Sequence, residues 1–242
     1  MFLYVSIIKK AWSYRSSYLC RNESEEIQQI VDRISSKLCK TGYSVSSLQD
    51  IVGINAHLEK LESLLQIGIN GVLMVGIWGI GGVGKTTIAR AIFDTLSYRF
   101  KAACFLADVK ENAKRNQLHS LQNILLSELL RKKDDYVNNK LDGKCMIPTR
   151  LCSMKVLIVL DDVDHSDHLE YLEGDLRWFG NGSRVVITTR NRQLIENDDA
   201  VYEVSTLPDD EAMLLFNQHA FKKKFPDVRC KTFSLEVVVM MG

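Results

Sequence analysis

Residues 72–96 read VLMVGIWGIGGVGKTTIARAIFDTL. The run Val72–Trp78 is apolar without interruption, as a short strand buried on both faces would be, and Lys85 onward has the look of a helix. Between them GIGGVGKT satisfies G-x-x-x-x-G-K-[ST] in the strand–loop–helix setting that the motif requires. Each position has a chemical reason. Gly79, Gly81, Gly82 and Gly84, with Val83 among them, let the backbone fold around a β-phosphate and aim its N–H groups inward. The following helix offers its positive end through Lys85, Thr86 and Thr87; Lys85 neutralises terminal phosphate charge, and the Thr86 hydroxyl ligates Mg²⁺. A glycine-rich turn before a helix is the plainer alternative. The pattern arises by chance in roughly one chain in a hundred of this size, and the correct flanks lower that further. ADP or ATP with Mg²⁺ is therefore the expected ligand.

Two further strands end in residues that suit this chemistry. Leu157-Ile-Val-Leu-Asp161-Asp162 is an apolar run closed by two carboxylates, as a Walker B strand would be. Asp161 would hold Mg²⁺ through its water shell. Asp162 is placed to polarise an attacking water, as the acidic residue does in the P-loop class whose sensor strand lies between the two Walker strands. Val185-Val-Ile-Thr-Thr-Arg190 is a third apolar run, ending in an arginine at the carboxyl edge where ligands of open α/β sheets bind. Arg190 there can sense the γ-phosphate. Solvated strand-end side chains are the alternative at both places, and the upstream P-loop favours the functional one.

Working outward, strands and helices alternate. A helix carries Ile54, Leu58, Leu61 and Leu65 on one stripe, and another follows the P-loop to about Tyr98. Strands are predicted at 103–107, 155–160, 184–189 and 201–204. A helix with Leu118, Leu121, Leu125 and Leu129, and a short one near Leu169, lie between them. This alternation predicts an α/β fold with a central parallel sheet, a P-loop NTPase. Residues 208–222 differ, with Ala212, Leu215, Phe216, His219 and Ala220 on one face, and begin a helical appendage. The division is 1–21 as an unassigned leader, 22–50 as a linker helix with Ile27 to Leu38 at helical spacing, 51–206 as the nucleotide-binding domain, and 207–242 as the incomplete appendage.

Composition excludes several classes. With 31 basic and 30 acidic residues the formal charge is +1, so no global field recruits nucleic acid or an acidic membrane. The start MFLYVSIIKK has its lysines after a short apolar run, the reverse of a secretory signal, and no stretch approaches a membrane span. Six cysteines without a C-x-x-C pair read as reduced thiols of a cytoplasmic protein. His165 and His168 near Asp164 lack zinc spacing and read as a loop and helix start. Trp78 is expected in core packing, and Lys222 to Lys224 as a solvated helix end.

Taken in order, GIGGVGKTTIA, FLADVKEN, KVLIVLDDVD, GNGSRVVITTR and YEVSTLPDDEAMLLFNQHAF resemble the NB-ARC nucleotide-binding region of plant intracellular immune receptors, over about residues 22–238. Asp164 after LDDV and the FLADVKEN form look like the branch whose receptors carry an N-terminal TIR domain. The resemblance implies an ASCE/STAND-type P-loop fold followed by a helical ARC segment, and a switch with ADP bound at rest and ATP on activation, which oligomerises and hydrolyses slowly. Through it, Gly79 to Thr87 bind phosphates, Asp161 and Asp162 are the Walker B acids, Arg190 is the sensor arginine, and Val52 and Gly53 line the adenine pocket.

The family pattern continues beyond SLEVV with a GLPLAL segment, where this sequence reads VMMG. The remaining ARC helices, the MHD motif, the leucine-rich repeats and the TIR domain are not in it, so a truncated module with reduced nucleotide affinity and an apolar end at Leu235 to Val239 is expected. Full-length receptors or further copies of the chain are the expected partners, in the cytoplasm or the nucleus. The rival expectations are a turnover-competent ATPase or small-molecule kinase, for which no further catalytic constellation is found, and a non-catalytic interaction or decoy protein with impaired nucleotide binding.

Overall fold

Leu73–Trp78 forms β1, the strand on which the rest is registered. A computed structural model describes residues 51–130, 137–172 and 174–221. The helix expected over Ile27 to Leu38, the lysines 222–224 and the apolar end at 235–239 lie outside them. Ahead of β1 runs α1, Ile54–Leu65, and after the P-loop comes α2, Lys85–Leu96. Then follow β2, Ala102–Leu106, and α3, Val109–Leu130. Next are α4, Lys140–Leu151, β3, Val156–Val163, and α5, Ser166–Leu172. The described part ends with β4, Arg184–Thr189, β5, Ala200–Glu203, and α6, Asp209–Phe221.

The five strands form one sheet in the order β2-β3-β4-β1-β5 with every pair parallel. The sheet is the one expected, and β4 stands between β1 and β3. Its strands are buried on both sides, which is why they read as unbroken apolar runs. Because side chains alternate along a strand, each sends residues to two cores. Val75, Ile77, Leu157, Val159 and Val186 meet α1 and α2, while Ile158, Leu160, Val185 and Ile187 meet α3, α4 and α5.

Helix α4 was not expected from the sequence. Gly143 and Pro148 sit inside it, and both weaken a helix on propensity. Tertiary contacts override this. Asn139 caps its first turn by accepting from the N–H groups of Leu141 and Asp142, and Ile147 and Leu151 are fully buried. Gly143 abuts Gln122 of α3, whose Nε2 donates to the carbonyls of Lys140 and Tyr171.

At the other end of β4, Arg184 is fully buried. Its guanidinium donates to the carbonyls of Leu65, Gln66, Ile69, Gly71 and Ser183. Leu65 and Gln66 close α1, so the cation caps the negative end of that helix. Burial lowers the pKa of Arg184, an effect that Asp199 opposes. No described helix is long and apolar enough to cross a membrane.

Candidate functional site

The P-loop joins β1 to α2 with Gly82 at φ 84° and Gly84 at φ 99°, left-handed conformations that favour glycine. Gly84 is the N-cap of α2 and supplies no side-chain acceptor. The first N–H groups of α2 are thus left for an external anion, and the first turn holds no acidic residue to compete. Lys85 is 7% exposed, and its Nζ donates to the carbonyls of Gly79 and Ile80 at 2.8 and 2.7 Å. Burial lowers its pKa, with Arg190 adding to the effect and Asp162 and Asp161 opposing it.

Asp161, at 1% exposure, lies under the loop. Its Oδ1 accepts from Thr86 Oγ1 at 2.9 Å and from Thr188 Oγ1 at 2.7 Å. Its Oδ2 is buried without a partner. A buried carboxylate oxygen left unsatisfied costs more than about 1–3 kcal/mol, so this atom calls for a donor or a cation from outside the chain. Thr86, Thr188 and Asp161 itself offer oxygens, the donor type of a hard divalent ion.

Asp162 is set apart from Asp161 by a β-bulge. Leu160 pairs with Ile187, yet Val163 pairs with Thr189, so β3 carries one more residue than β4 between these points. Asp162 takes φ 55° there, and its N–H donates to Thr188 Oγ1 at 2.9 Å. Its carboxylate lies 3.7 Å from Arg190 Nε. Arg190 reaches over Gly81, where an added Cβ would stand 3.0 Å from Nη1. Trp78 packs against the core, as expected, and its indole N–H also donates to the Arg190 carbonyl at 3.2 Å.

These groups surround a cavity of about 300 Å³. Gly82 and Gly84 to Thr87 line it from the P-loop and the start of α2, Thr188 from β4, Arg190 from just after β4, Asp162 from β3, and Asp108 from the loop after β2. Sequence reasoning passed over Thr188 and Asp108. The TTR run after an apolar strand was the one signal for Thr188, and Asp108 lies within FLADVKEN, a stretch in which no single residue had been given a role. Val52 and Gly53 do not line the cavity. They precede α1, where a Cβ on Gly53 would meet Glu211 Oε2 at 2.6 Å and Leu207 at 3.1 Å. His57 of α1 shares a 2.6 Å hydrogen bond with the Tyr202 hydroxyl of β5.

His168 is mostly buried, 3.6 Å from Asp164, which also pairs with Lys110 at 3.1 Å. No group of three metal-ligating side chains occurs among the described residues.

The NB-ARC domain model matches residues 54–225, most of the chain. The chain belongs to the NB-ARC family. Among curated relatives, this NB-ARC chain is 62% identical over 225 residues to TMV resistance protein N of Nicotiana glutinosa, covering 90% of itself and 19% of that protein. It is 38% identical over 221 residues to disease resistance protein RPV1 of Vitis rotundifolia, covering 90% of itself and 16% of that protein. With disease resistance protein RPP5 of Arabidopsis thaliana it shares 36% identity over 225 residues, 91% of this chain and 15% of that one. The chain thus spans a fifth or less of the relatives it matches. Drosophila ORC bound to DNA aligns with 77% of this chain and 55% of that one at TM-score 0.49 and 15% identity, a likeness too loose to add to the assignment. The domain is a nucleotide-binding module of the P-loop class.

Proposed function

We propose that this NB-ARC domain is the ADP/ATP-binding switch of a plant immune receptor, with Mg²⁺ held at Thr86 and Asp161. The observation that carries the reading is the buried, partnerless Oδ2 of Asp161, next to an Oδ1 that holds Thr86 and Thr188 in place. Because Thr86 donates its proton to Asp161, a lone pair of its hydroxyl remains for the cation. The cation, when bound, neutralises charge on the phosphates.

The chain's own groups divide the remaining work. The N–H groups of Gly81 to Thr87 cradle the β-phosphate, and Lys85 exchanges its two carbonyl acceptors for a terminal phosphate oxygen. Asp162 orients a water for slow attack on the terminal phosphorus and takes its proton, while the bond to the bridging oxygen breaks and ADP leaves. Arg190, 65% exposed at its side chain, reports whether that phosphate is present. Val52 and Gly53 wall the adenine, and the close approach of Gly53 to Leu207 and to Glu211 of α6 links that wall to the start of the helical ARC region. Exposed thiols at Cys145 and Cys152 suit the reducing cytoplasm. Exchange of ADP for ATP would then expose surfaces for self-association or for full-length receptors.

Thermal unfolding of the purified chain with Mg²⁺-ADP, Mg²⁺-ATP or no nucleotide tests this, alongside Lys85→Ala. Ligand at a hundredfold over its dissociation constant stabilises by about 2.7 kcal/mol, a shift of several degrees. The wild type should shift and the variant should not. A folded wild type that ignores both nucleotides overturns the switch in favour of a nucleotide-independent interaction protein.

A further inference from the structure

Resting on that reading, we infer that Asp108 is a positioning residue for the divalent cation, accepting hydrogen bonds from the cation's bound water at the β2 end of the cavity. Three observations converge on it. Asp108 lines the same cavity as Thr86, Thr188 and Asp162, two residues past the end of β2, the strand that neighbours β3. Its carboxylate has no hydrogen-bond or ion-pair partner among the described residues, whereas Asp162 already faces Arg190. It also stands at φ 48°, and of the three non-glycine residues with positive φ in the described chain, two are Asp108 and Asp162. Strained backbone is thus concentrated where two adjacent strand ends present carboxylates to one cavity.

Asn139, in front of α4, has an extended backbone at φ −148°, and its side chain caps the helix. Asp108 holds the same place before α3, since its carbonyl accepts from the N–H of Asn112 at 3.0 Å. Yet no side-chain cap is formed there, and the residue lines the cavity. A capping acid is worth about 1 kcal/mol, and here that gain is given up. The cavity supplies the compensating demand. A hard divalent ion bound by one or two protein oxygens and phosphate keeps several waters, whose protons need acceptors. Asp161 Oδ2, buried and unpartnered beside Thr86, meets one such need, and Asp108 is a cavity-lining carboxylate with no partner among the described residues. Acceptors of this outer kind typically change metal affinity by about 10–100-fold.

The test titrates Mg²⁺ into the whole chain at fixed ADP and reads the midpoint of the thermal shift for wild type, Asp108→Asn and Asp108→Gly. Asparagine and glycine both tolerate the left-handed backbone, so the fold is retained. The Mg²⁺ midpoint should rise roughly tenfold or more in both variants, with ADP binding in chelator unchanged. A wild-type midpoint kept in both variants overturns the inference and leaves the nucleotide switch standing. A change in melting temperature without ligand, and none in the Mg²⁺ midpoint, makes Asp108 a structural residue and also overturns it. If the wild type shows no Mg²⁺-dependent shift at all, the switch reading falls first and this inference with it.

Discussion

The hydroxyl of Thr188 donates to the Asp161 carboxylate at 2.7 Å and accepts the backbone N–H of Asp162, joining β4 to two successive residues of β3 through one oxygen atom. Thr188→Val keeps the shape and removes that oxygen. Asp161 loses one of its two donors and the Asp162 N–H is left unpaired, so stability should fall by about 1–3 kcal/mol in urea unfolding. Thr188→Ser, which keeps the hydroxyl, should recover most of the loss. Equal stability in the valine and serine variants would show that the bridge carries no weight.

Arg184 is expected to resist even its nearest substitute. Lysine has three donors on a flexible stem and cannot reproduce a planar fork that serves the carbonyls of Leu65, Gln66, Ile69, Gly71 and Ser183. Arg184→Lys leaves several buried carbonyls unmatched and should cost about 2 kcal/mol or more. Hydrogen exchange at the end of α1 should quicken more than exchange in α3, because the clamp touches only the former.

Gly76 lies in the middle of β1 under the turn formed by Arg192–Ile195. A Cβ there would come 2.5 Å from Ile195 Cδ1 and 2.9 Å from Asp198 Oδ2. Gly76→Ala should therefore destabilise by about 1–3 kcal/mol through overpacking. Adding Ile195→Ala should relieve part of that cost, which a double-mutant cycle by chemical denaturation reads directly.

Asp198 gives the fold a pH dependence of definite sign. Burial, with Asp199 adding to it, pushes its carboxyl up to about 7 from 3.8, and its Oδ2 has no partner. Between those values the native state holds a proton that the unfolded chain has released. The stability from this group is therefore greatest near pH 4 and is lost as pH rises through 7. Asp198→Asn has no such proton to lose. The wild type should weaken relative to the variant between pH 5 and pH 8 in urea unfolding, and parallel curves would refute the assignment.

What was legible in the sequence followed from chemistry that is local in the chain. The P-loop glycines, Lys85 and Thr86 are contiguous, and the doubly buried strands read as apolar runs. What was hidden depends on contacts across it. Helix α4 is held by Gln122 and a buried face despite Gly143 and Pro148, a tertiary effect that propensity opposes. The bulge that separates Asp161 from Asp162 exists only in the pairing with β4. Thr188 and Asp108 look like ordinary strand-end residues until the sheet order brings β2, β3, β4 and the P-loop to one cavity.

The position of β4 gives its length a meaning of its own. Arg184 at one end is fixed to the close of α1, and at the other Thr188 and, just past the strand, Arg190 are fixed to the carboxylates, across a strand of six residues or about 20 Å of extended chain. Removing one residue between them would turn the following side chains to the opposite face, so that Thr189 would stand where Thr188 does, and would draw the two anchor points together by one strand step. Substitutions within Val185 to Ile187 can be absorbed by repacking, but a deletion cannot. The segment works as a ruler, and what it encodes most strictly is a distance.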